Sequence, residues 1–132
     1  MRRTLYLAAA SVLLAQGGAA VAGEGGAEPA FLPMTDIVVP IVDGSRAHGR
    51  LRVRIVIMAR DAAAIASLQT QMPELRETAL VAAAEFARLH ASPFAPVDAK
   101  RLSNDLSAAF KARDPEHFIA RILLVGVSAA RS

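Results

Sequence analysis

The sequence predicts a small α+β domain: an antiparallel or mixed sheet in β-β-α-α-β order, with a long proline-kinked helix and a second helix packed on it. Three observations carry that prediction. Apolar side chains recur with period two over Arg50–Arg60, the mark of a strand with one face on a core. They recur in steps of three and four from Ile65 to Leu89, the mark of an amphipathic helix. Two further β-rich runs, Asp36–Val42 and His117–Ser128, lie on either side of this segment, each bounded by turn residues.

At the N-terminus, Arg2 and Arg3 precede an uncharged apolar run, Leu5–Ala15, which Gln16, Gly17 and Gly18 interrupt. Ala20-Val21-Ala22 then offers a small-x-small cleavage site before Gly23, with Gly18-Ala19-Ala20 as a second. This is the layout of a signal peptide over residues 1–22. The paired arginines also suit a twin-arginine signal, although two arginines are ordinary in any such segment. Left uncleaved, Leu5–Ala22 would make a short signal anchor of about 27 Å as a helix, against a hydrocarbon core of about 30 Å. The positive-inside rule translocates the remainder in both cases. The expected location is therefore the periplasm, with the protein either free or held at the inner membrane by its own N-terminus. Residues 23–30 (GEGGAEPA) have no apolar face and read as a linker, leaving residues 31–132 as the folded domain.

Asp36–Val42 is rich in β-branched residues, and Pro40, which has no N–H, assigns it to an edge or a bulge. Asp43-Gly44-Ser45 opens a turn that Gly49 is expected to close. In the next strand Leu51, Val53, Ile55, Ile57 and Ala59 share one face, and Arg50, Arg52, Arg54, Val56, Met58 and Arg60 share the other. Asp61 is an N-cap. The stripe Ile65, Leu68, Met72, Leu75, Ala79, Ala82, Phe86, Leu89 runs across Pro73. It predicts one helix kinked at Pro73 or two helices meeting there in register. Gln69, Gln71, Glu74, Arg76, Glu77, Glu85 and Arg88 fall mostly on the solvent side. Asp98 caps a helix over Ala99–Arg113, with Val97 and Leu102 placed as a hydrophobic staple and Leu102, Leu106, Ala109 and Phe110 as its buried stripe. Asp114-Pro115 ends it. His117–Ser128 is apolar on both faces, which predicts an interior strand.

Composition narrows the chemistry. Apolar residues make up 54% of the 132 and charged residues 20%, which excludes a disordered chain. The absence of cysteine excludes disulfides, thiolate metal sites and a cysteine nucleophile. The formal charge of +3 and pI near 10.2 suggest a basic binder, yet cleavage after Ala22 leaves 110 residues at +1. His48, His90 and His117 lack metal-ligand spacing, and no GxSxG elbow or phosphate loop occurs. Glu74 and Glu77, one helical turn apart beside Arg76, read as a charged surface rather than an acid–base pair. No catalysis, metal or cofactor is expected. Neither is a nucleic-acid partner, since Trp is absent and the one tyrosine, Tyr6, lies in the signal segment. The notable polar feature is the row Arg50, Arg52, Arg54 on one strand face. It is a candidate docking face for an acidic partner or a second subunit, or a solvated face that discourages edge pairing.

Three stretches resemble the periplasmic domain of FliL, the flagellar basal body-associated proteins. They are Phe31-Leu32-Pro33-Met34 leading into Ile37-Val38-Val39-Pro40, the alternating strand Leu51–Ala59 with Arg60-Asp61, and Met72-Pro73-Glu74-Leu75-Arg76-Glu77-Thr78-Ala79-Leu80. The closing strand Ile122–Val127 also fits. The resemblance covers Phe31 to the end and rests on the order of these stretches. It implies a domain similar to SPFH (stomatin-type) domains, self-association around the stator units of the flagellar motor, contact with stator or basal body proteins close to the membrane, and no catalysis. A different class of reading on the same fold is a periplasmic protein that binds a small molecule or an envelope component.

Overall fold

The structure, a computed structural model, describes residues 30–132. The expected signal segment, and the linker as far as residue 29, lie outside the described residues. Ala30, expected as the end of the linker, instead opens strand β1 (Ala30–Pro33). That strand pairs antiparallel with the far half of the long strand β3 (Arg46–Ala59), Ala30 opposite Ala59 and Pro33 opposite Val56. Strand β2 (Ile37–Asp43) continues along the same side of β3, Ile37 opposite Val53 and Ile41 opposite Gly49. Strand β4 (Ile119–Arg131) runs along the other side of β3. The result is an antiparallel four-stranded sheet in an α+β fold, with β3 at its centre.

The alternation in β3 does what its period requires. Leu51, Val53, Ile55, Ile57 and Ala59 are buried, and the arginines between them are exposed. Each fully buried aliphatic side chain of this kind contributes about 1.5–3 kcal/mol relative to an exposed one. The turn before β3 is tighter than expected. Asp43 pairs with Arg46, so the loop is Gly44-Ser45 alone. Gly44 holds φ +66°, at the first central position where a two-residue hairpin favours glycine. Gly49 therefore does not close a loop. It is an interior residue of β3, buried against β4, and His48 lies on the same strand rather than in a loop. Pro40 does sit on an edge strand, and the β2 register shifts just beyond it, between Ile41 and Val42.

Two helices follow β3, as the second alternative for Pro73 required, but the break falls earlier. Helix α1 (Ala62–Thr70) is capped by Asp61, whose Oδ1 accepts the Ala64 N–H at 2.9 Å. That bond, with the Arg60 side chain next in importance, holds the Asp61 carboxyl below its ordinary range. Gln71 ends α1 by donating to Ser67 O and Leu68 O, and its own carbonyl accepts from Glu74 and Leu75 to start helix α2 (Met72–His90). Pro73 is therefore not a kink in a helix interior. It lies in the first turn of α2, where a missing N–H leaves no bond unmade.

The buried residues of α2 are Leu75, Thr78, Ala79, Ala83, Phe86 and Ala87. Leu89, expected on this stripe, is 54% exposed. A stripe of alternating three and four steps averages 3.5 residues, whereas the helix turns every 3.6, so its far end rotates off the core. Helix α3 (Ala99–Ala112) begins at Asp98, whose Oδ1 accepts the Arg101 N–H at 3.0 Å, and buries Leu102, Leu106 and Phe110. Val97 packs against the same core, as a staple residue should.

β4 is the main correction. Its two apolar faces predict an interior strand, yet among the described residues it is an edge strand that pairs with β3 alone. Only Ile122 along it is buried, and Val125 is 52% exposed. Helix α3 packs against it.

Candidate functional site

The helices lie on one face of the sheet, so the arginines of β3 define the other. Arg50, Arg52 and Arg54 all point outward from the central strand and are exposed. Because β3 has neighbours on both sides, the row does not guard an edge. The residues beside it are small or apolar. Pro40 and Ala130 flank Arg50, Val38 and Ser128 flank Arg52, and Gly126 is opposite Arg54. Around Arg50 and Arg52 the face opens into a shallow recess of about 330 Å³, which Val38, Ser128 and Ala130 help to line.

One carboxylate organises the row. Asp36, just ahead of β2, accepts from Arg52 Nη1 at 3.1 Å and lies 3.5 Å from Arg54 Nε. Exposed pairs of this kind are worth about 0.2–1 kcal/mol, so Asp36 orients the two guanidiniums more than it stabilises the fold. Arg50 has no carboxylate partner among the described residues. Asp36 was legible in principle: it shares its strand parity with Val38 and Pro40, which face outward beside the arginines.

Asp36 is held from the opposite side of the sheet by Arg76 of α2. Its Nη1 donates to Thr35 O at 2.7 Å and its Nη2 to Asp36 O at 3.1 Å. Arg76 is therefore no solvent-side charge as its helical position suggested. It clamps the β1–β2 connection, and so sets where the Asp36 carboxylate stands. Arg76→Ala should lower unfolding stability by about 1–2 kcal/mol, at the low end for hydrogen bonds from a charged donor because one of the two bonds is exposed to solvent. Arg76→Lys should recover less than half, because an ammonium cannot span both carbonyls as the planar fork does. Denaturant titration of the three proteins measures this, and equal midpoints would refute the clamp.

Elsewhere the side chains expected to be inert lie apart. The His90 ring lies 5.6 Å from that of Phe86 and tilted to it, and His117 sits in a loop at φ +56° just before β4 rather than opening it. Among the described residues no cluster of three or more His, Asp or Glu could hold a metal ion, and no helix is long and apolar enough to cross a membrane. Between α2 and α3 runs a groove of about 440 Å³, lined in part by Val81, Ala82, Phe86 and Ala109. Glu85 on its rim is paired with Arg88 at 2.7 Å, which holds the Glu85 carboxyl below its usual range.

No protein-family model matches the chain, and no curated protein does so either.

Proposed function

We propose that the chain is a non-catalytic, FliL-like periplasmic protein that docks to the stator or basal body of the flagellar motor and supports motility. The observation that carries this reading is the open sheet face on which Arg50, Arg52 and Arg54 stand in line. Successive guanidiniums on one strand face recur about every 6.6 Å, a spacing suited to acidic side chains on a partner strand or helix. Such a row gives orientation and association rate more than raw affinity. The element order beneath it, with Met72-Pro73 opening the second helix, is what supports the family resemblance.

Deleting the gene should reduce swimming and swarming while flagella still assemble. Replacing Arg50, Arg52 and Arg54 together by Glu should reproduce that loss with the protein still folded by circular dichroism and present at the normal level. Full motility under load in both strains would overturn the motor reading. It would favour the second one, a binder of a small apolar molecule or envelope component, for which the groove between α2 and α3 is the supporting observation.

A further inference from the structure

The two edges of the sheet are finished differently. The edge formed by β1 and β2 is interrupted between them and carries Pro33 and Pro40, devices that discourage strand addition. The edge formed by β4 is continuous over 13 residues, and contains neither proline nor lysine. Its register slips twice, at Ala120 and at Val125, but the stretch from Gly126 to Arg131 pairs with β3 without a break. Ser132 donates to His48 O, and antiparallel ladders alternate, so the N–H groups of Val127, Ala129 and Arg131 point away from β3. Main-chain donors and acceptors in this array, unpaired among the described residues, are met by one kind of ligand, another extended strand.

We propose that two copies of this chain join by antiparallel pairing of Gly126–Ala130 about a two-fold axis at Ser128, uniting their sheets. The register follows from the strand itself. Centring on Ser128 sets Val127 opposite Ala129 and Gly126 opposite Ala130, and uses the whole run between the Val125 bulge and Arg131. The outward residues of the seam, Gly126, Ser128 and Ala130, are small, so nothing blocks the approach. The half-buried Val127 and Ala129 of each copy meet on the helix side and extend the core. The two arginine rows are kept apart: β3 of one copy and β3 of the other are three strand spacings distant, about 14 Å, beyond a physiological screening length of about 8 Å. A seam this short buries less than a standard interface, so the dimer is concentration-dependent. The pairing is independent of the motor reading, since mass and motility are measured separately.

The test uses the full chain as the cell exports it. Light scattering should show a monomer–dimer equilibrium. Ala129→Pro removes an outward N–H without touching the β3 ladder, and should raise the dissociation constant roughly tenfold or more. Because the protein has no cysteine, Ser128→Cys introduces a single thiol. Two such residues would form a non-hydrogen-bonded pair with Cα atoms about 4.5 Å apart, within disulfide reach. Mild oxidation should give a covalent dimer, whereas Val38→Cys on the opposite edge should not. A wild-type protein that stays monomeric, a dimer unaffected by Ala129→Pro, or equal cross-linking from Val38→Cys would each overturn the proposal. Should Ala129→Pro fail to fold, the cysteine pair decides alone.

Discussion

Asp114→Ala should cost about 3 kcal/mol of unfolding free energy, a large effect for a polar residue in a loop. Asp114 follows the end of α3 and is only 7% exposed. Its Oδ1 accepts the Phe118 N–H and its Oδ2 the Ile119 N–H, both at 2.9 Å. Its carbonyl accepts the His117 N–H at 3.1 Å. The loop is thereby wound tightly enough to hold His117 at φ +56°, a left-handed conformation that costs a non-glycine residue about 1–2 kcal/mol. Removing the carboxylate strands two main-chain donors at the start of β4 and releases the constraint on His117. Hydrogen bonds to a charged group are worth about 1.5–3 kcal/mol each, and the freed strain offsets part of the loss. Asp114→Asn keeps one acceptor and should fall about midway. Denaturant midpoints at pH 7 measure the series, and a loss under 1 kcal/mol for the alanine protein would show that the loop is held by Pro115 and packing instead.

The role of Asp114 also marks where sequence reading reached its limit. Asp114-Pro115 is visible as a helix stop because chain geometry at proline is local. That the same carboxylate also starts the next strand, four and five residues on, follows no periodicity or cap pattern. The same division runs through the fold. The alternation in β3 and the caps at Asp61 and Asp98 depend on neighbouring residues, and each stands where those residues place it. Strand order depends on distant ones. β4 is apolar on both faces, the pattern of an interior strand, yet it is β3 that takes the centre, pairing with β1 and β2 along one side and β4 along the other, and the two strands are nearly equal in length, so nothing in either run alone decides between them. β1 is too short for any periodicity to reveal it.

The candidate site divides in the same way. Arg50, Arg52 and Arg54 share a face because strand parity demands it, and that much could be read directly. Arg76 could not: it meets Thr35 and Asp36 some 40 residues away, and its helical position gives no hint of that contact. The arginine row is thus a local pattern held in position by a non-local clamp. Asp36 links the two, its carboxylate on Arg52 and Arg54 and its carbonyl on Arg76.

Gly49→Ala should destabilise the protein by about 2 kcal/mol, although Gly126→Ala in the neighbouring strand should change stability by no more than about 0.5 kcal/mol. Both glycines lie within the β3–β4 ladder. A Cβ on Gly126 would find Arg54 Cβ at 3.6 Å, an ordinary contact. A Cβ on Gly49 would fall inside the contact distance of Ala130 O and stand 3.0 Å from Pro93 Cβ. Alanine gains about 0.5 kcal/mol at either site by restricting the unfolded chain. At Gly49 that gain is smaller than the overpacking cost of about 1–3 kcal/mol, because the obstructing atom is main chain and cannot rotate away. The ladder must open there, and the amides of Ala130 and Ser132, which face β3, should exchange faster with solvent while those near Ile122 do not. The close approach at Gly49 draws the last turn of β4 against β3 and the Pro93 loop, which fixes the plane in which the Gly126–Ala130 edge is presented. Gly49→Ala should therefore weaken dimerisation as well as stability, whereas Gly126→Ala, whose methyl group would stand off the sheet as that of Ala130 already does, should leave both nearly unchanged. Equal stability of the two alanine proteins would mean that β4 lies further from Gly49 than the structure places it.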